Sequence, residues 1–239
     1  MSLARNYDWQ ERSIHGTKTG AIFCRHAAVL YRGTDMIKKS KGLLITGLLI
    51  LGAGASQAAD VSSIVKSCND CHGKDGVSQW TDVPTIAGVS ESVHEDALYI
   101  FADEGRPCAE SRFRQGDTNR PATTMCAVAA DLSEEARADV ATYYAKLSFV
   151  AAKQDFDPSL AAAGEAVHKK QCEQCHSDGG SNPDDEAGIL AGQWKGYLKS
   201  SFAEYTSGKR DQPSKMKEKM DALSADDVKA LLDYYASQQ

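Results

Sequence analysis

The longest apolar run in the chain is Leu43-Leu44-Ile45-Thr46-Gly47-Leu48-Leu49-Ile50-Leu51. Lys38, Lys39 and Lys41 precede it, and the small residues from Gly52 to Ala59 follow. A basic stretch, an apolar stretch and a small-residue stretch in that order read as an export signal. The run is too short for a comfortable membrane span. Cleavage after Ala58 or Ala59 would start a periplasmic mature chain near Asp60 with no stable membrane span. A retained N-terminal anchor is the alternative. Met36 opens this segment and reads as the true initiator, which makes residues 1–35 an upstream extension without a periodic element.

Beyond residue 60 the apolar spacing is helical. Val61 to Asn69 and Ser159 to Glu173 read as short helices leading into Cys-x-x-Cys-His. Glu91 to Glu104 carries Leu98 and Phe101 at helical spacing, and Gln193 to Ser207 carries Tyr197, Phe202 and Tyr205. Ser133 and Ser224 are N-caps with acidic residues in the turn that follows, and the helices they open end near Leu147 and Ser237. Strand signals are weak. Gly73 to Gly76 and Ser177 to Asp185 read as loops.

These elements recur. Cys68-Asn69-Asp70-Cys71-His72 returns as Cys172-Glu173-Gln174-Cys175-His176, an offset of 104. Ile86-Ala87-Gly88 returns as Leu190-Ala191-Gly192 at the same offset. Leu132-Ser133 with Tyr143-Tyr144-Ala145 returns as Leu223-Ser224 with Tyr234-Tyr235-Ala236 at 91. The organisation predicted is a precursor segment 1–59, an all-α domain 60–150, a linker 151–158 and a second all-α domain 159–239. Each half would be marginal on its own apolar core, and a buried flat cofactor would complete the interior.

Of the 239 residues 42% are hydrophobic and 25% charged, which excludes extensive disorder. The net charge of −6 hides an asymmetry. Residues 1–59 hold 8 Lys/Arg against 3 Asp/Glu, a net of +5, and the remainder holds 19 against 30, a net of −11. An acidic mature chain is unsuited to nucleic acid, whose phosphates need basic surface. It suits a partner with a basic patch.

Cys-x-x-Cys-His is the attachment signature of c-type haem. Cys68, Cys71, Cys172 and Cys175 would form thioethers to two covalently bound haem c groups. His72 and His176 would give Nε2 to the two irons. A Cys₄ zinc site or a redox dithiol is the competing reading, and neither explains a His directly after both pairs. Met125 and Met216 each stand seven residues before a Leu-Ser pair, on irregular chain, and are the candidate sixth ligands. A His/Met pair raises the haem potential and suits electron transfer. Met220 reads as a core residue or a competitor one turn later. His94 and His168 lack counterparts in the other half and read as surface or packing residues. The Pro84 carbonyl is the candidate partner for the other ring nitrogen of His72. The aligned position is Gly188, which leaves the same role open in the second half.

Cys108 and Cys126 lie in the insertion of the first half. A disulfide is the economical reading in an oxidising compartment, and it would hold the loop carrying Met125. Two free thiols are the alternative. Arg106, Arg112, Arg114 and Arg120 in the same segment suit either haem propionates or a solvated loop. Cys24 lies in the precursor segment.

The chain resembles the two-haem class I cytochromes c. Its second half resembles the cytochrome subunit of flavocytochrome c sulfide dehydrogenase. The resemblance rests on Ala152 to Asp157, Cys172 to His176, Ile189-Leu190-Ala191-Gly192-Gln193-Trp194, Lys215-Met216 and Tyr234 to Gln239. In the first half it is weaker, resting on Cys68 to Gly73, the position of Met125 and the order of helices. The Cys108–Cys126 insertion departs from that subunit and looks more like soluble two-haem carriers. The resemblance implies two tandem class I cytochrome c domains with His/Met ligation at both irons. It also implies redox protein partners, among them a flavoprotein sulfide dehydrogenase subunit. The expected function is single-electron transfer. A free carrier to a terminal oxidase and a two-haem peroxidase-type enzyme are the alternatives.

Overall fold

The protein is described by a computed structural model over residues 60–239. The export-signal reading, Met36 and Cys24 lie outside the described residues.

In the first half α1 spans Val61–His72, α2 Glu91–Ala102, α3 Met125–Ala130 and α4 Glu134–Ala145. In the second, α5 spans Pro158–Gln171, α6 Ser177–Gly180, α7 Lys195–Thr206, α8 Ser214–Asp221 and α9 Ala225–Ser237. Asp60 caps α1 by accepting from Ser62 N at 3.1 Å. Asp157 does the same for α5, whose first residue is Pro158, a position where the missing N–H costs nothing. Ser133 and Ser224 cap α4 and α9 through 3.1 Å bonds from Ala136 N and Asp227 N.

Three details differ from the sequence expectations. Glu110–Ser111 (β1) pairs antiparallel with Thr123–Thr124 (β2), so the insertion contains a minimal ribbon. Met125 and Met216 lie on short helices, α3 and α8, rather than on irregular chain. Thr124 makes the first of these helical by accepting from Ala127 N at 3.1 Å, which satisfies a donor the first turn leaves orphaned. The stretches read as loops also hold helical turns, a 3₁₀ turn at Lys74–Gly76 and α6 with a 3₁₀ turn at Pro183–Asp185.

One backbone frame is built twice. Ile86 N donates to Gly76 O at 2.8 Å, and Leu190 N to Gly180 O at 2.9 Å. Gly88 N donates to Tyr144 O at 2.9 Å, and Gly192 N to Tyr235 O at 2.8 Å. Gly88 and Gly192 hold φ of +72° and +69°, a region open to glycine. These bonds tie the chain after each Cys-x-x-Cys-His to the last helix of its half. The first core is Val65, Val140 and Tyr144. The second is larger and holds Leu198, Phe202, Met220, Leu231, Leu232, Tyr234 and Tyr235.

The halves meet at a polar seam. Gln193 accepts from Thr85 N and donates to Thr85 O, both at 2.9 Å, so one buried amide satisfies a backbone pair. Trp194 Nε1 donates to Ser78 O at 3.0 Å and Tyr197 N to Thr81 O at 2.7 Å. Arg106 pairs with Glu204 at 2.8 Å. Among the described residues no helix is long and apolar enough to cross a membrane.

Candidate haem sites

The first Cys-x-x-Cys-His closes α1, where Val61, Ile64, Val65 and Cys68 form the face that packs on α4. The second follows α5: Cys172 is its C-cap, and Cys175 N and His176 N return to Cys172 O at 3.1 and 3.0 Å. One lies inside a helix and the other in a tight turn beyond one. Both place two thiols and an imidazole on one short arc of chain.

His72 is buried, and its Nδ1 lies 3.0 Å from Pro84 O. His176 Nδ1 lies 3.1 Å from Gly188 O. A carbonyl oxygen only accepts, so Nδ1 carries the proton in both rings and Nε2 keeps its lone pair. Burial holds both imidazoles below the ordinary histidine range, against the smaller opposing effect of the carbonyls. Gly188 thus supplies the same carbonyl as Pro84 although the side chains differ. Burial also pushes the Cys68 thiol up to about 11, and raises Cys172 against the effect of the Tyr235 hydroxyl.

Met125 is half-buried at the start of α3, next to buried Cys126. Cys126 and Cys108 are joined through their sulfurs, with Cα atoms 5.7 Å apart. Met216 is half-buried against the second core, and Met220, one turn on, belongs to that core. His168 is wholly buried, with Nδ1 2.9 Å from the Tyr235 hydroxyl and Nε2 2.6 Å from Glu173 Oε2. Both nitrogens are engaged, so His168 has no lone pair to offer a metal. His94 is also buried. Its Nε2 has no hydrogen-bond partner among the described residues, and burial lowers its pKa to about 4, against a smaller opposing effect of the Ile86 backbone.

Three of the four arginines in the insertion are paired rather than solvated. Arg106 binds Glu204, Arg114 binds Asp82 and Arg120 binds Asp70. Arg106 also stacks on Phe101 at 4.4 Å, and Arg210 stacks on Tyr205 at 4.3 Å. The sequence reading passed over Arg210. The offset of 104 that relates the haem motifs also relates Arg106 to Arg210 and Phe101 to Tyr205, and would have found it. The Nε atoms of both arginines are buried without partners.

These residues fit haem c. Each half offers two thiols, an imidazole with a free Nε2 and a half-buried thioether. The orphaned Arg106 and Arg210 donors suit propionate carboxylates. Fold and residues together define a two-haem class I cytochrome c. Residues 159–234 match a protein family described as cytochrome c oxidase, cbb3-type, subunit III. Cytochrome c4 of Pseudomonas aeruginosa is 30% identical over 207 residues, 80% of this chain and 94% of that relative. Cytochrome c4 of Stutzerimonas stutzeri is 26% identical over 205 residues, 80% and 94% of the two chains. The crystal structure of reduced cytochrome c4 from Pseudomonas stutzeri superposes with a TM-score of 0.60 at 24% identity, covering 76% of this chain and all of that one. A thiosulfate dehydrogenase from Marichromatium purpuratum shares the fold with a TM-score of 0.56 at 24% identity, over 72% of this chain and 36% of that one. The chain belongs to the cytochrome c4 family. It is a two-haem electron carrier with two covalently bound haem c groups and redox protein partners.

Proposed function

We propose that this chain is a periplasmic single-electron carrier whose two irons are each held between an imidazole and a methionine sulfur. Cys68 and Cys71 anchor the first haem and Cys172 and Cys175 the second. His72 with Met125 would hold one iron, and His176 with Met216 the other. The observation that carries this is the pair of Nδ1–carbonyl bonds, to Pro84 O at 3.0 Å and Gly188 O at 3.1 Å, which aim a free Nε2 from each imidazole. When bound, each iron supplies a one-electron couple. The Pro84 and Gly188 carbonyls fix the tautomer and turn of each ring. The Cys108–Cys126 disulfide holds the segment that presents Met125. Arg106 and Arg210 take the propionates.

The test is optical. Wild type should show a methionine–iron charge-transfer band from both haems and no high-spin signal. Met125→Ala and Met216→Ala should each remove part of that band and lower the potential of one haem. A spectrum unchanged by Met216→Ala but altered by Met220→Ala would sink the ligand assignment. N-terminal sequencing of the exported protein should begin near Asp60.

The resemblance of residues 150–239 to a flavocytochrome subunit favours a second reading, in which a flavoprotein sulfide dehydrogenase subunit passes electrons to these haems. Mild purification from the native source should then bring down a flavin-containing chain. Its absence leaves the free carrier.

A further inference from the structure

Arg106 and Arg210 hold matching places in the repeat, and the fold brings them together at the seam. Asp211 N donates to Gly105 O at 3.1 Å, which joins the two turns that carry them. Glu204, on α7, reaches both. Its Oε2 lies 2.8 Å from Arg106 Nη2 and 3.7 Å from Arg210 Nη1. The side chains of Arg106, Arg210 and Glu204 are only 6%, 13% and 19% exposed. Tyr197, on the same helix, senses both cations. Burial raises its phenol, yet Arg210 and then Arg106 bring it below the ordinary tyrosine range.

The repeat supplies two arginines here but one carboxylate. The position matching Glu204 in the first half is Ile100. Among the described residues neither arginine has another carboxylate within ion-pair reach. Both keep a buried Nε without a partner. A buried donor left unmade is costly, so each guanidinium is set to take a further acceptor beside Glu204. With one haem per half, that acceptor is a propionate. A single buried charge then borders the propionate holders of both haems.

Its effect has a definite sign. Reduction adds one electron to a haem, so a nearby negative charge favours the ferric form and lowers the potential. Pairing with Glu204 also cancels part of each guanidinium's positive charge, which acts in the same direction. Burial keeps salt from screening either effect strongly.

We propose that Glu204 is the common counter-ion of the two haem-holding arginines, and that its one charge sets the potentials of both haems together. The inference rests on the reading of Arg106 and Arg210 as propionate holders.

The test is a redox titration of the haem-loaded protein, followed in the visible spectrum. Met125→Ala, which lowers the first haem alone, says which midpoint belongs to which haem. Glu204→Gln keeps the shape and removes the charge. It should raise the ferrous-to-ferric ratio of both haems at least about threefold at a fixed applied potential, a shift of roughly 28 mV for a one-electron couple. Glu204→Asp keeps the charge and should stay near wild type. A Glu204→Gln protein that moves one midpoint or neither would overturn the proposal, as would an equal shift from Glu204→Asp. Should Glu204→Gln fail to take up its haems, Arg106→Gln/Glu204→Gln removes the ion pair together. It must still raise the second haem, and an unmoved second midpoint is equally fatal. Arg106→Gln and Arg210→Gln separate the two levels. The first should lower the first midpoint and the second should lower the other. If neither moves a midpoint, the propionate reading falls and this proposal with it. If both do while Glu204→Gln does nothing, the shared counter-ion falls alone.

Discussion

The two halves share a frame and differ in what surrounds it. The bonds from Ile86 N to Gly76 O and from Gly88 N to Tyr144 O, at 2.8 and 2.9 Å, recur from Leu190 N to Gly180 O and from Gly192 N to Tyr235 O at 2.9 and 2.8 Å. At matched side-chain positions the halves part. Ile64 corresponds to His168, Asn69 to Glu173 and His94 to Leu198. Tyr144 donates to Asn69 Oδ1 at 2.8 Å, whereas Tyr235 lies 2.9 Å from His168, which in turn meets Glu173. A fold fixed by main-chain bonds leaves side chains free to change around it. Two like cofactors can then sit in unlike polarity.

The largest effect is expected at Gly164, where α5 crosses α9. A Cβ there would lie 2.1 Å from Ala230 O. Its aligned position in the first half is Asp60, ahead of α1, so among the described residues this glycine crossing belongs to the second half. Gly164→Ala should cost about 3 kcal/mol, because backbone must move to admit it. Gly188→Ala, with no atom within 4 Å, should cost less than about 0.5 kcal/mol. Thermal unfolding of the haem-loaded proteins compares them, and equal midpoints would show that the crossing yields freely.

His94 is next. Its pKa is about 4 in the folded chain, from an ordinary value of 6.5, because burial disfavours the cation. The unfolded chain takes up this proton first as pH falls. The contribution is therefore whole above about pH 6.5, declines toward pH 4 and is flat below, for a loss of up to about 3 kcal/mol. His94→Leu installs the residue of the second half and removes an unpartnered buried nitrogen. It should flatten that portion of the stability–pH curve and raise stability at pH 7 by about 1 kcal/mol. A denaturation series from pH 7 to pH 4 decides it, and an unaltered slope in the variant refutes the assignment.

His168→Ile makes the reverse exchange, putting the first-half residue into the second half. It takes from the wholly buried Tyr235 hydroxyl its nitrogen partner, and should cost about 2 kcal/mol in urea unfolding. A neutral result would mean that Tyr235 finds another acceptor, as Tyr144 does in Val65 O at 3.2 Å.

Much of this was legible along the chain because it is local or repeated. Cys-x-x-Cys-His, the serine caps and the apolar helical spacing are short-range patterns, and α1 and α9 begin and end within a few residues of expectation. The helical setting of Met125 and Met216 was less legible, since helices of six and eight residues carry little periodicity. The seam was not legible at all. Thr85 and Gln193 are 108 residues apart, and an amide clasping a backbone pair has no signature in either local sequence. His168 met the same obstacle. Lacking a counterpart, it suggested surface or packing, and its partner Tyr235 lies 67 residues away.

The smallest difference is expected at the caps of α4 and α9. The Ser133 hydroxyl accepts one bond, from Ala136 N at 3.1 Å. Ser224 accepts from Asp227 N at the same distance, while its own N donates to Asp227 Oδ2 at 2.9 Å and its hydroxyl donates there at 2.7 Å. Either serine→alanine change strips an orphan donor of its acceptor and should cost about 1 kcal/mol. The Ser224 variant should lose slightly more, because the Asp227 carboxylate is left with the backbone donor alone. The Ser224 hydrogen bonds hold that carboxyl below its ordinary range, so it stays ionised through mildly acid pH. The excess should therefore persist at pH 5 and vanish once Asp227 is protonated, below its ordinary value of 3.8. Denaturant midpoints of the two variants at pH 7, 5 and 3 make the comparison. A greater loss from Ser133→Ala at pH 7 would mean that tertiary packing, and not the local cap, sets where each last helix begins.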